Sequence, residues 1–116
     1  MDEAGTHYEK LIDFMKEEKP YLNPDLNLQL LADSLGLTRH QLSGMINLRF
    51  KKTFYDVIHD YRIGETLELM KSSHHKSYTL ESIAFSSGFN SKATFNRVFK
   101  KVIGKTPSQY IEELQI

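Results

Sequence analysis

The chain has no cysteine among its 116 residues. That excludes a disulfide framework and a thiolate zinc site, and it is compatible with a reducing compartment. Long apolar runs are missing too. No stretch approaches the roughly 18 residues needed to span a bilayer, and the N-terminus lacks the pattern of a secretory signal. This segment is therefore expected to make no membrane contact and to reside in the cytoplasm, which leaves a membrane-anchored parent protein open. Net charge is absent as well, with 15 basic residues against 15 acidic. A nucleic-acid binder usually shows a basic excess, so the total by itself speaks against one.

What is present suits one globular domain spanning 1–116, with 40% hydrophobic and 26% charged residues. The distribution of charge reverses the impression left by the total. Residues 1–33 hold Lys10, Lys16 and Lys19 against Asp2, Glu3, Glu9, Asp13, Glu17, Glu18, Asp25 and Asp33. The compensating positive charge lies further on. Arg39, Arg49, Lys51 and Lys52 fall in a stretch, 38–55, with no carboxylate, and Lys92, Arg97, Lys100, Lys101 and Lys105 fall in another, 86–110. Solvated helix faces usually mix signs, so two cleared basic stretches suggest an anionic partner.

Helical periodicity dominates. Tyr8, Leu11, Ile12 and Met15 form one apolar face of a first helix that should end at Lys19, before an irregular connection, Pro20 to Asp25. Residues 1–22 thus read as an N-terminal helix and its connection. Asn27 can cap a second helix with Leu28, Leu31, Ala32 and Leu35 inward and Gly36 as its stop. Thr38 and Gln41 have capping-box spacing for a third, which buries Leu42, Met45 and Ile46. A longer helix, 53–72, carries Phe54, Val57, Ile58, Tyr61, Leu67 and Met70, followed by a polar loop from Ser72 to Ser77. Further helices fit from Thr79 to Ser86, from Ser91 to Lys101 and, after a Thr106/Gln109 box with proline at the first position, from Pro107 to Leu114. No segment alternates with the period of a strand. The expected fold is all-α, with about seven helices.

An internal repeat organises them. Leu28, Leu31, Ala32, Gly36 and Leu37 recur as Leu80, Ile83, Ala84, Gly88 and Phe89, 52 positions on. After one extra residue in the second copy, Leu42, Met45, Ile46 and Phe50 match Phe95, Val98, Phe99 and Ile103, and Thr53 matches Thr106. The alanine permits close helix crossing, the glycine a tight turn, and the apolar residue after it plugs the corner. Such a unit is a helix-turn-helix, whose second helix can project into a DNA major groove. The two units, 27–50 and 79–103, flank the long linker helix, and 106–114 forms a C-terminal helix. At roughly 1.5 Å per residue the linker is about 30 Å long, close to one turn of duplex. A direct repeat in one chain implies an asymmetric, tandem double-stranded site rather than a palindrome.

Gly88-Phe89-Asn90-Ser91, Thr94-Phe95-Asn96-Arg97-Val98-Phe99-Lys100-Lys101 and Gly104-Lys105-Thr106-Pro107-Ser108-Gln109-Tyr110 resemble the signature of AraC/XylS-type transcription regulators. The first unit, the long helix with Tyr61-Arg62 and the second unit follow the family's order across about residues 20 to 114. The opening helix with Lys19-Pro20-Tyr21-Leu22 is similar to the variant seen in the Bacteroidetes group. The resemblance implies the DNA-binding domain of a regulator that activates transcription by placing RNA polymerase, tethered to a sensor or dimerisation domain outside this chain.

On the second helix of the second unit, Ser91, Lys92, Asn96 and Arg97 are left toward the groove, where Arg and Lys can pair with guanine and Asn with adenine. The resemblance places base contacts on the same surface. Lys100, Lys101 and Lys105 suit phosphates, as does Asn90. In the first unit the outward set is His40, Gln41, Ser43, Gly44 and Asn47, with Thr38, Arg39, Arg49, Lys51 and Lys52 toward phosphates. Gly44 falls where many family members carry a large basic residue. Either Gly44 allows close approach while His40 and Asn47 read bases, or this half docks mainly on the backbone.

No catalytic motif, glycine-rich phosphate loop or paired-carboxylate arrangement is recognisable, so neither an enzyme nor a cofactor is expected. No metal is expected either: His74-His75 are adjacent loop residues without a further ligand cluster, and His7 and His59 are isolated. The competing reading is a helical protein-interaction module that uses the acidic first helix and the apolar repeats.

Overall fold

A computed structural model describes residues 3–72 and 78–114. The His74-His75 pair and most of the polar loop lie outside the described residues. Within them the regular structure is entirely helical: α1 (Glu3–Glu18), α2 (Leu28–Leu35), α3 (Arg39–Phe50), α4 (Phe54–Lys71), α5 (Leu80–Ser86), α6 (Lys92–Ile103) and α7 (Pro107–Leu114). The fold is all-α, as its periodicity implies. Two compact units divide the chain, residues 1–58 and 59–116, and the border falls inside α4.

In the first unit, Leu11 and Met15 on α1 are fully buried. Lys19 ends the helix by turning left-handed, with φ 47°. The connection that reads as irregular in sequence is instead a 3-10 turn over Pro20–Leu22, with proline's fixed φ at its start and Tyr21 buried in it. Asn27 then caps α2, its side-chain oxygen accepting the Leu30 N–H at 2.8 Å. Gly36 takes φ 70° at the far end, and Lys10 of α1 donates to the Leu35 carbonyl at 2.8 Å. A cation on the last carbonyls complements the helix dipole there. Thr38 and Gln41 form the expected reciprocal box, at 3.0 Å and 2.9 Å. From it α3 runs with Leu42, Met45 and Ile46 buried, packing on both α1 and α2.

The second unit repeats the device. Thr79 caps α5 through the Ser82 N–H at 3.0 Å, and Ile83 and Ala84 face inward. Gly88, at φ 98°, makes the turn that an L-residue would resist. Phe89 behind it is 1% exposed. Ser91 caps α6, and a Thr106/Gln109 box at 3.2 Å and 2.9 Å starts α7. The core is aromatic. Phe89 meets Phe95 edge-on at 5.3 Å, Phe95 tilts on Phe99 at 5.8 Å, and Phe99 meets Tyr110 edge-on at 5.7 Å. Ile63 and Met70 of α4 close the same cluster.

Candidate nucleic-acid interface

Each unit presents the second helix of a helix-turn-helix, and the caps set where its faces begin. On α6, Phe95, Val98 and Phe99 point into the core. An α-helix advances about 100° per residue, so Ala93, Asn96, Arg97, Lys100 and Lys101 fall on the outer side, Lys92 lies at the edge of the core side in the first turn, and all six are exposed. Four cations and an amide therefore lie along one helix with no carboxylate among them. Asn96, Arg97 and Lys100 also line an open cleft of about 480 Å³ whose far wall is Thr106, Pro107 and Ser108 at the start of α7.

Two residues expected on that surface are otherwise engaged. Ser91 is half-buried, and its hydroxyl accepts the Thr94 N–H at 3.1 Å while donating to the Thr94 hydroxyl at 2.9 Å. Lys105 is exposed but ion-paired with Glu113 of α7. Exposed pairs of this kind contribute about 0–1 kcal/mol, so the lysine can exchange its partner at little cost. Asn90, the extra residue of the second turn, is exposed.

The matching face of α3 is formed by Arg39, His40, Ser43, Gly44, Asn47 and Leu48. All are exposed except half-buried Ser43. Only one of the six is a cation, where α6 has four. Gly44, which matches Arg97 in the repeat, leaves its surroundings empty: a Cβ there would meet nothing within 4 Å. The Gln41 side-chain oxygen is held by the Thr38 N–H, so both belong to the helix start. The remaining positive charge collects at the other end. Arg49 lies in the last turn, Lys51 takes φ 58° as the C-terminal cap, and Lys52 follows, exposed. Arg49 is on the α1 side of the helix, its guanidinium 5.1 Å over the Tyr8 ring.

The sequence does not by itself single out Ala93, Leu48 or Tyr8. Ala93 and Leu48 are detectable in principle, since both fall on the outward arc once Phe95 and Leu42 are set inward. Tyr8 reads only as part of the apolar face of α1, because a sequence does not show what a helix packs against. Among the described residues no group of three or more His, Cys, Asp or Glu could hold a metal ion, and no helix is long and apolar enough to cross a membrane.

The family model described as a helix-turn-helix domain matches residues 31–113. An HTH-type transcriptional regulator in the cgkA 5' region of Pseudoalteromonas carrageenovora is 33% identical over 93 residues, 80% of this chain and 52% of the relative. The chain thus spans about half the length of that protein. Regulatory protein SoxS of Escherichia coli K12 is 24% identical over 94% of this chain and 99% of its own length. Among solved structures, the C-terminal domain of the two-component response regulator yesN from Fusobacterium nucleatum aligns with a TM-score of 0.74 and 26% identity, covering 90% of this chain and 96% of that one.

Proposed function

This chain belongs to the AraC/XylS-type helix-turn-helix family of transcription regulators, and from that premise we propose that it binds a specific double-stranded DNA site through α3 and α6, laid into successive major grooves. The observation that carries the reading is the exposed surface of α6, where Asn96, Arg97, Lys100 and Lys101 lie away from the buried Phe95, Val98 and Phe99 and Lys92 is exposed at the helix start. Arg97, Asn96 and Lys92 read base edges. The Ala93 methyl faces the same way and suits a thymine methyl. Lys100 and Lys101, with Lys105 and Asn90, hold phosphates and supply affinity without sequence information.

The first unit contributes differently. With one cation on the α3 face and three around its C-terminal end, it docks chiefly on the sugar–phosphate backbone through Arg39, Arg49, Lys51 and Lys52. The site is an asymmetric tandem pair, the compartment is the cytoplasm, and the outcome is activation through RNA polymerase. The parent protein joins this chain to a sensor or dimerisation domain, as the C-terminal placement of the yesN domain illustrates for that protein.

Fluorescence anisotropy with random duplex DNA over a range of salt tests the reading. Affinity should fall linearly on a log–log scale with salt. Lys100→Ala/Lys101→Ala should flatten the slope by about 1.8, roughly 0.9 for each phosphate no longer neutralised. Salt-insensitive binding to protein partners, with no DNA binding at low salt, would replace this reading with an interaction module.

A further inference from the structure

The cleft between α6 and the start of α7 has Asn96, Arg97 and Lys100 on one wall and Thr106, Pro107 and Ser108 on the other, with no carboxylate among them. It lies to one side of α6. At about 100° per residue, Arg97 and Lys100 straddle the outward direction opposite Phe95, Val98 and Phe99. Asn96 lies beyond Lys100, and Lys101 lies beyond Arg97, about 140° around the helix from Asn96. The cleft therefore opens on the Asn96 flank of the exposed surface, and Lys101 stands on the other flank. The far wall is held in place. Thr106 and Gln109 close the first turn of α7 reciprocally at 3.2 Å and 2.9 Å, and Pro107 is buried. Ser108 comes next and is exposed. Among the described residues, no hydrogen bond or ion pair engages its hydroxyl, the Lys100 ammonium or the Arg97 guanidinium.

We propose that this cleft takes one backbone phosphate of the duplex between the Lys100 ammonium and the Ser108 hydroxyl, which makes Ser108 a DNA-contacting residue. A helix lying in a major groove about 12 Å wide has a sugar–phosphate strand on either side of it. Lys101 meets the strand on its own flank, and the cleft meets the other. Lys100 supplies the countercharge there, as a point charge on a flexible stem. Ser108 donates to a phosphate oxygen from a turn that is already closed, so the contact fixes the depth of α6 in the groove and carries no sequence information. Arg97 lies across the outward direction from the Asn96 flank and stays free for a base edge. A free phosphate ester would meet the same groups. Exposed cations hold a lone ion weakly in salt, whereas the duplex brings its phosphate already positioned by the other contacts.

This inference rests on the DNA reading above, and the variants at Ser108 separate the two. Affinity for random duplex is measured over a range of salt for the native chain, Ser108→Ala, Ser108→Thr and Ser108→Asp. Ser108→Ala should weaken binding by about two- to tenfold, the range of one net hydrogen bond, at an unchanged salt slope. Ser108→Thr, which keeps the hydroxyl, should restore it. Ser108→Asp should bind more weakly still and flatten the slope by about 0.9, because the carboxylate now neutralises Lys100. Its melting temperature should hold or rise, since a carboxylate suits the first turn of a helix, so the loss is not one of folding. In a duplex selected by the native chain, phosphates are then replaced one at a time by uncharged methylphosphonates. One linkage should weaken the native chain and leave Lys100→Ala/Ser108→Ala no weaker than on the unmodified duplex. Native-like affinity of Ser108→Asp, or additivity at every linkage, overturns this inference alone. Absence of salt-dependent binding by the native chain overturns the DNA reading with it.

Discussion

Thr66 and Ser87, 21 residues apart and both fully buried, lie hydroxyl to hydroxyl at 2.8 Å. Each also reaches a carbonyl four residues back, Thr66 to Arg62 at 2.9 Å and Ser87 to Ile83 at 2.8 Å. Two protons therefore serve three close approaches: with Ser87 donating to Ile83, Thr66 can donate across to Ser87. The pair ties α4 to the turn that leads into α6, beside a cluster of apolar and aromatic side chains.

The two hydroxyls should accordingly behave as one unit. Thr66→Val or Ser87→Ala alone should lower the free energy of unfolding by about 0.5–1.5 kcal/mol, because the remaining hydroxyl keeps its carbonyl four residues back but loses the bond across. The double substitution should cost less than the sum, since the bond the two hydroxyls share is lost only once. Urea denaturation of the three variants checks this, and strict additivity would contradict it.

Gly44 offers a second test. Its helix position is open, with nothing within 4 Å of an added Cβ. Gly44→Ala should therefore stabilise the chain by about 1 kcal/mol, read as a higher melting temperature. DNA affinity should hold if α3 docks on the backbone. A marked drop in affinity in the stabilised variant would instead show that α3 approaches the bases closely at this point.

Lys51 couples stability and binding in opposite directions. It holds φ 58° where the repeat places Gly104 at φ 87°. Replacing it by glycine should relieve about 1 kcal/mol of backbone strain while removing one phosphate partner. Lys51→Gly is expected to melt later and bind DNA more weakly, two readouts that seldom part in this way.

Arg97 should govern sequence preference more than bulk affinity. Once a site has been selected from random duplexes by the native chain, a base-substitution scan should locate discrimination of about 1–3 kcal/mol at one position that Arg97→Ala abolishes. The half-site under α3 should discriminate less. Equal discrimination in both half-sites would refute backbone docking by the first unit.

Local chemistry makes most of the framework legible. Asn27, Thr38, Thr79, Ser91 and Thr106 announce helix starts because an oxygen three residues ahead of a free amide is a short-range requirement, and each caps as its spacing implies. The inward sets of α3 and α6 follow from period alone. Arg62, Thr66 and Ser87 escape such reading: they are buried polar groups, and hydrophobicity assigns them outward unless their partners are known. The Pro20–Leu22 turn is hidden for a related reason, since proline signals an interruption without saying which turn replaces the helix. At the candidate site, exposure of Asn96 and Arg97 is inferable from Phe95 and Phe99. The engagement of Gln41 and Ser91 in caps is only half visible: spacing reveals the Thr38/Gln41 box, but not that the box withdraws the glutamine from the outward set.

The packing of α1 has one more consequence. The recognisable family span opens at residue 31, yet the first compact unit includes Leu11 and Met15 in its core and borrows Lys10 to close α2. The span matched by the helix-turn-helix model and the span that holds the first unit's shape are therefore different lengths of polypeptide. A fragment trimmed to the recognisable part would retain every residue of the α3 face and lose the wall against which that helix is built.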